Sequence, residues 1–108
     1  MAEYLFLESR SPADSGEVAH SYALAAALAG RGERVTIFLV QNGVLAARRG
    51  AANAGLEIVA RSGATILADD FSLRERGIAA DSLAAQVAPA PLETVIDGLA
   101  RGTKTIWN

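Results

Sequence analysis

Asp69 and Asp70 stand side by side where the apolar run A-T-I-L-A (64–68) meets a polar turn. Two adjacent carboxylates can raise the pKa of one of them by mutual repulsion and so supply general acid/base chemistry. The same pair fits a structural role, since aspartate is a preferred helix N-cap and accepts backbone N–H bonds from the following turn. Adjacent residues seldom point the same way, which favours the cap. Ser72, with Glu75 three residues on, has the spacing of a second capping box. His20 is the single histidine and falls about one and a half turns into a helical segment. A catalytic imidazole needs a carboxylate or nucleophile beside it, and helix or surface contact is its simpler role. With no second histidine and no thiolate, metal binding is not expected.

A second candidate is the loop S-R-S-P-A-D-S-G (9–16), which sets Ser9, Ser11 and Ser15 beside a helix N-terminus, a natural site for a small anion. It lacks both the G-x-G-x-x-G pattern and the phosphate-loop lysine, so its case for a nucleotide is weak. Asn42 and Gly43 follow a strand and border the same edge, where a pocket wall and a helix cap explain them equally well. Arg74 and Arg76 read as solvated helix charges.

The elements that must position these groups follow from pattern. Residues 4–7 (Y-L-F-L) read as a first strand. Asp14 with Glu17 has capping-box spacing, so a helix is expected to begin near Ser15. It runs through Val18, Tyr22, Ala25 and Ala29, widened by Leu24 and Leu28, and stops at Gly30. Residues 34–41 (R-V-T-I-F-L-V-Q) form the clearest strand, and strand–helix–strand within about 40 residues implies a parallel pair. Asn42 can cap a helix over 43–53 that Gly55 ends. Residues 56–61 suit either a short helix or a strand, and Gly63 as a C-cap favours the helix. The 64–68 run suits a buried parallel strand, with the turn after it closed by Gly77. A helical turn at 81–86 and a loop lead to an amphipathic helix over 92–99, with Leu92, Val95, Ile96 and Leu99 at helical spacing. Residues 103–107 close the chain as a strand. The class is a three-layer α/β/α sandwich with a mostly parallel four- to five-stranded sheet.

Bulk properties narrow the function classes. The 108 residues suit one domain, 1–108, and are 51% hydrophobic and 20% charged. A net charge of -2 and a single lysine offer no basic face for nucleic acid. No cysteine is present, which excludes disulfides, thiolate metal sites and thiol catalysis. No signal peptide is visible, and the apolar runs fall well short of the roughly 20 residues of a membrane span. Cytoplasmic location is the default expectation.

Four local sequences, taken in order, resemble the DsrE/DsrF/DsrH-like family, which includes the TusB, TusC and TusD sulfur-relay proteins. An apolar first strand leads into a serine-rich loop and an alanine-rich helix. The V-T-I-F-L strand is followed by Gln41-Asn42-Gly43. A strand-turn segment ends in L-R-E-R-G-I (73–78), similar to the family's L-x-x-R-G-I, and a closing strand ends near Trp107. The resemblance spans essentially the whole chain and implies assembly into dimers, trimers or hexamers, with a cysteine-bearing relative as the alternative partner. Trp107, near the chain end, then needs a neighbouring subunit to cover its ring. The family's arginine near the site would favour an anionic ligand.

In sulfur-carrying members a cysteine ends the strand before that turn and takes up sulfur as a persulfide. Here the position corresponds to Asp69, and a second position that is cysteine in some relatives corresponds to Ser72. Neither replaces a thiolate nucleophile, so the family's reactive residue is not carried over. The expected function is a non-catalytic oligomeric binding or partner subunit, without cofactor. The alternatives are a small-molecule enzyme using Asp69 or Asp70 with His20, and an anion or nucleotide sensor at the Ser9, Ser11, Ser15 loop.

Overall fold

The computed structural model describes residues 2–51 and 54–107. Five strands form one parallel sheet: β1 (Glu3–Glu8), β2 (Arg34–Leu39), β3 (Thr65–Asp69), β4 (Val87–Ala90) and β5 (Lys104–Trp107). Their spatial order is β4-β3-β2-β1-β5. They are connected by α1 (Gly16–Gly30), α2 (Ala54–Arg61), α3 (Asp70–Glu75) and α4 (Glu93–Ala100), with 3-10 helices at Gln41–Ala47 and Ala80–Ser82. The expected α/β class is the one observed.

The period-two alternation of each strand sorts its side chains onto two faces. Phe6, Ile37, Leu39 and Ile66 take one face, against Val18, Tyr22 and Ala25 of α1 and Leu56 and Val59 of α2. Leu5, Leu7 and Phe38 take the other, where α4 contributes Val95. Phe6, Ile37 and Phe38 are fully buried, and burial of each such side chain is worth about 1.5–3 kcal/mol. Strands β1 to β4 step outward in sequence order, so α4 must carry the chain back from the β4 edge to β5 beside β1. A right-handed crossover puts that return on the face opposite α1 and α2.

Several local expectations give way to tertiary contacts. The helix expected over 43–53 is a 3-10 helix at Gln41–Ala47, ending in an antiparallel bridge between Arg48 and Leu83. Backbone groups that a longer helix would use pair instead with the 82–84 segment, Arg49 N–H to Ser82 O and Ala84 N–H to Ala47 O. Positions 52 and 53 lie outside the described residues. Gly55 belongs to the first turn of α2 and ends nothing, whereas the helical reading of 56–61 holds, with Gly63 at φ 103° beyond it.

The expected helical turn at 81–86 is only the 3-10 turn Ala80–Ser82, and the following loop contains the fourth strand. Pro89 lies within β4, at the sheet edge, where a missing N–H costs no ladder bond on the open side. The cap of α1 is Ser15, not Asp14: Ser15 Oγ accepts from Glu17 N–H at 3.3 Å. Gly30 is the last residue of α1, and Gly32 is the one at positive φ, 89°. Leu24 is exposed, as are Leu92, Ile96 and Leu99 of the α4 stripe, because Val95 alone of the stripe turns fully inward.

Two close approaches fix the sheet's ends. At the carboxyl edge, Val40 N–H donates to Glu8 O at 3.0 Å, and a Cβ on Gly43 would lie 2.1 Å from that same oxygen. Only glycine fits there. At the amino edge, Glu3 accepts from Thr103, from Arg101 at the end of α4, and from Arg34. These bonds, Thr103 first and Arg101 second, hold the Glu3 carboxyl below its ordinary value.

Gly43→Ala is expected to cost about 1–3 kcal/mol, read from the urea midpoint at unchanged slope, because backbone and not a flexible side chain must yield. A carboxyl with a depressed folded pKa stabilises the fold above its unfolded pKa and loses that contribution as pH falls through the folded value. Thermal melts across the acid range are therefore expected to fall more steeply for the wild type than for Glu3→Gln, the two curves running parallel near neutrality.

Candidate functional site

The carboxyl ends of β1, β2 and β3 meet the start of α3 in a network centred on Asp69. Strand β3 carries Asp69 onto the α4 face, in register with Ala90. Its Oδ2 accepts from Ser72 N–H at 3.0 Å and from Ser72 Oγ–H at 2.7 Å, while Ser72 Oγ accepts from Gln41 N–H at 2.9 Å. Asp69 is 6% exposed, and its Oδ1 is closed to water and has no hydrogen-bond partner among the described residues. Gln41 has φ 51°, the left-handed region that non-glycine residues enter at some cost. That turn aims its N–H at Ser72. Asp69 is thus the N-cap of α3, and its second oxygen remains free of that duty.

Arg76 is more than a solvated charge. Its Nε and Nη2 donate to Asn42 Oδ1 at 3.2 and 3.0 Å, and its Nη1 donates to Ser72 O at 3.3 Å. It clasps the turn after β2 to α3. Arg74 lies outside, 3.8 Å from Asp70 and with its guanidinium 6.0 Å from the Phe71 ring centre.

Beside this network lies a cavity of about 400 Å³. Its polar lining is Asp69, Ser72, Gln41 and Glu75. Its apolar walls are Leu7 and Val40 from the sheet, Phe71, then Leu92, Val95 and Ile96 around α4, and Trp107 of β5. Phe71 is 58% exposed, Ile96 57% and Trp107 72%, so the rim is apolar and open.

The candidate residues fall into separate places. Asp69 and Ser72 meet at the cavity, and Gly43 and Asn42 support it from behind. Asp70 is partly exposed and turns to Arg74, away from Asp69. His20 is exposed on α1, and no hydrogen bond or ion pair joins it to either aspartate among the described residues. Ser11 Oγ accepts from Ala13 N–H at 3.2 Å and Ser15 caps α1, so both hydroxyls serve the loop's own turns. Arg10 is paired with Glu17 at 3.0 Å, and Ser9 is half-buried at the end of β1. No group of three or more His, Cys, Asp or Glu suited to a metal ion occurs among the described residues. Of the cavity's other lining residues, Gln41 belongs to the Gln-Asn-Gly turn and Glu75 to a capping-box spacing, neither of which pointed to a cavity, and Phe71 carries no motif.

Asp69→Ala is expected to destabilise by about 1–2 kcal/mol in urea melts, while Asp69→Asn, which still accepts at the cap, recovers most of that loss.

Likeness to solved structures agrees with this architecture. The ychN protein from E. coli superposes with a TM-score of 0.89 at 20% identity, over 100% of both chains. A protein of unknown function from Methanobacterium thermoautotrophicum gives 0.86 at 17%, again over 100% of both. A conserved protein of unknown function from Bacteroides thetaiotaomicron gives 0.77 at 17%, over 98% of this chain and 95% of the other. At these identities the likeness carries the fold alone. No curated protein matches the sequence. The DsrE/DsrF-like family description matches residues 2–107, and the chain belongs to that family.

Proposed function

We propose that this DsrE-like chain is a non-catalytic binding subunit that works as an oligomer, its 108 residues acting as a single domain in the cytoplasm. The observation that carries the reading is the apolar rim of Phe71, Leu92, Ile96 and Trp107 around a cavity whose floor is a capping aspartate. Leu99 extends the exposed stripe along α4. A contiguous apolar patch of this kind, bordered by charge, is characteristic of association surfaces. Persulfide relay needs a thiolate, and the chain has no cysteine, so any part in sulfur transfer would be as the partner of a cysteine-bearing relative. Among the described residues no helix is long and apolar enough to cross a membrane.

The enzyme reading has less support. Asp69 is committed to Ser72 through one oxygen, Asp70 to Arg74, and no hydrogen bond or ion pair joins His20 on α1 to either of them among the described residues. A nucleophile, base and orienting group within hydrogen-bond reach of one another do not assemble from these residues.

Native mass spectrometry of the gently purified full chain is expected to show two or more copies, or one copy with a cysteine-containing companion. Ile96→Lys is expected to shift that assembly to the monomer while leaving the far-ultraviolet circular dichroism unchanged, since the side chain is mostly exposed. A wild-type monomer with no companion would overturn the reading, as would persulfide transfer by the purified chain alone.

A further inference from the structure

We infer that the carboxyl-edge cavity takes a hydrophobic cation: a primary or secondary ammonium group on a small aliphatic or aromatic body. The inference rests on the cavity's being the binding site of the subunit proposed above. Its basis is the sign and placement of charge. The ionisable residues lining the cavity are Asp69 and Glu75, both acidic, and the remaining polar lining is the neutral Gln41 and Ser72.

The nearby arginines do not reverse that sign. Arg76 directs its hydrogen bonds to Asn42 and Ser72 O and also forms an ion pair with Glu75, Nη1 to Oε1 3.7 Å, while the Glu75 side chain stays half exposed. Arg74 is engaged with Asp70 and Phe71. Neither lines the cavity. The anionic ligand that an arginine near the site would favour therefore meets two carboxylates instead.

Asp69 is the more deeply buried of the two. Its buried carboxylate receives two donors on Oδ2 and, among the described residues, none on Oδ1, which is closed to solvent. A charge so placed acts across a weakly screening interior without needing direct contact. Glu75, at the mouth, can pair with the ammonium directly. Leu7, Val40, Leu92 and Ile96 then line the space for the apolar body, and Trp107 adds an aromatic ring of the kind that attracts cations. A cavity of about 400 Å³ falls within the range of small-molecule sites.

The test is a titration of the assembled full-length protein with three probes of like size: 2-phenylethylammonium, 2-phenylethanol and 3-phenylpropionate. Saturable change in the fluorescence of Trp107, the single tryptophan, is expected with the amine, at an affinity about tenfold or more above the alcohol and the acid. Glu75→Gln and Asp69→Asn are each expected to erase most of that preference while leaving the melting temperature near the wild type. Should Asp69→Asn fold poorly, the half-exposed Glu75→Gln still decides the matter. Equal or tighter binding of the acid, absence of amine binding, or an unchanged preference in Glu75→Gln would overturn the assignment. Sedimentation on the same samples separates the two proposals. Assembly without amine selectivity removes only the ligand class, and a partnerless monomer that binds amine removes only the oligomer.

Discussion

A single oxygen, Oδ2 of Asp69, holds the carboxyl edge of this sheet together. Through Ser72 it joins the last residue of β3 to the first turn of α3, and through Ser72 Oγ it reaches Gln41 at the end of β2. Gln41 takes a left-handed conformation to donate there, a cost that the surrounding contacts offset. The turn is braced from the other side by the contact of Gly43 with Glu8 O, and Arg76 spans the remaining gap to Asn42. Three strand ends are thereby fixed relative to one another within hydrogen-bond distances. The cavity beside them is a consequence of that fixation.

The same oxygen explains what the position does not offer. A residue that caps a helix and orders a neighbouring serine is bound into the scaffold, whereas sulfur transfer needs an exposed, ionised sulfur. Asp69 is buried and saturated on one side. What it leaves is a negative charge with one unmatched oxygen, under an apolar roof. The chain has no thiolate to carry sulfur here, and the binding role proposed above needs none.

How much of this could be read from the chain varies with the range of the forces involved. The β2 and β3 runs, the capping role of Asp69 and the helical ends at Gly63 and Gly77 were legible, because each depends on neighbours within a few residues. Strand β4 was not, since V-A-P-A has the composition of a loop and becomes a strand only because β3 offers an edge. The 43–53 helix failed for the matching reason: the bonds from Arg49 and Ala84 link segments about 35 residues apart and outcompete local winding. Arg76 carries no local mark of its distant partner Asn42. Its clasp exists only in the folded chain.

The outward face of α4 follows from topology rather than from any motif. With the strand order β4-β3-β2-β1-β5, the short α4 is the helix whose buried residue packs on one face of the sheet, while α1 and α2 share the other with Val44 and Ala47 of the 3-10 helix and Leu73 of α3. Eight residues present little more than two turns, and Val95 is the one stripe residue that meets Leu5, Leu7 and Phe38. Helical periodicity placed Leu92, Ile96 and Leu99 on the same stripe, but a stripe wider than the sheet can receive leaves its flanks in solvent. Polar flanks would have been compatible with a chain that stays alone. Apolar flanks, continued by Phe71 and Trp107 around the mouth of the cavity, put the exposed apolar surface and the cavity on the same edge. Whatever covers that rim would also close the cavity, so the assembly and the ligand binding proposed above would be coupled through the same few side chains.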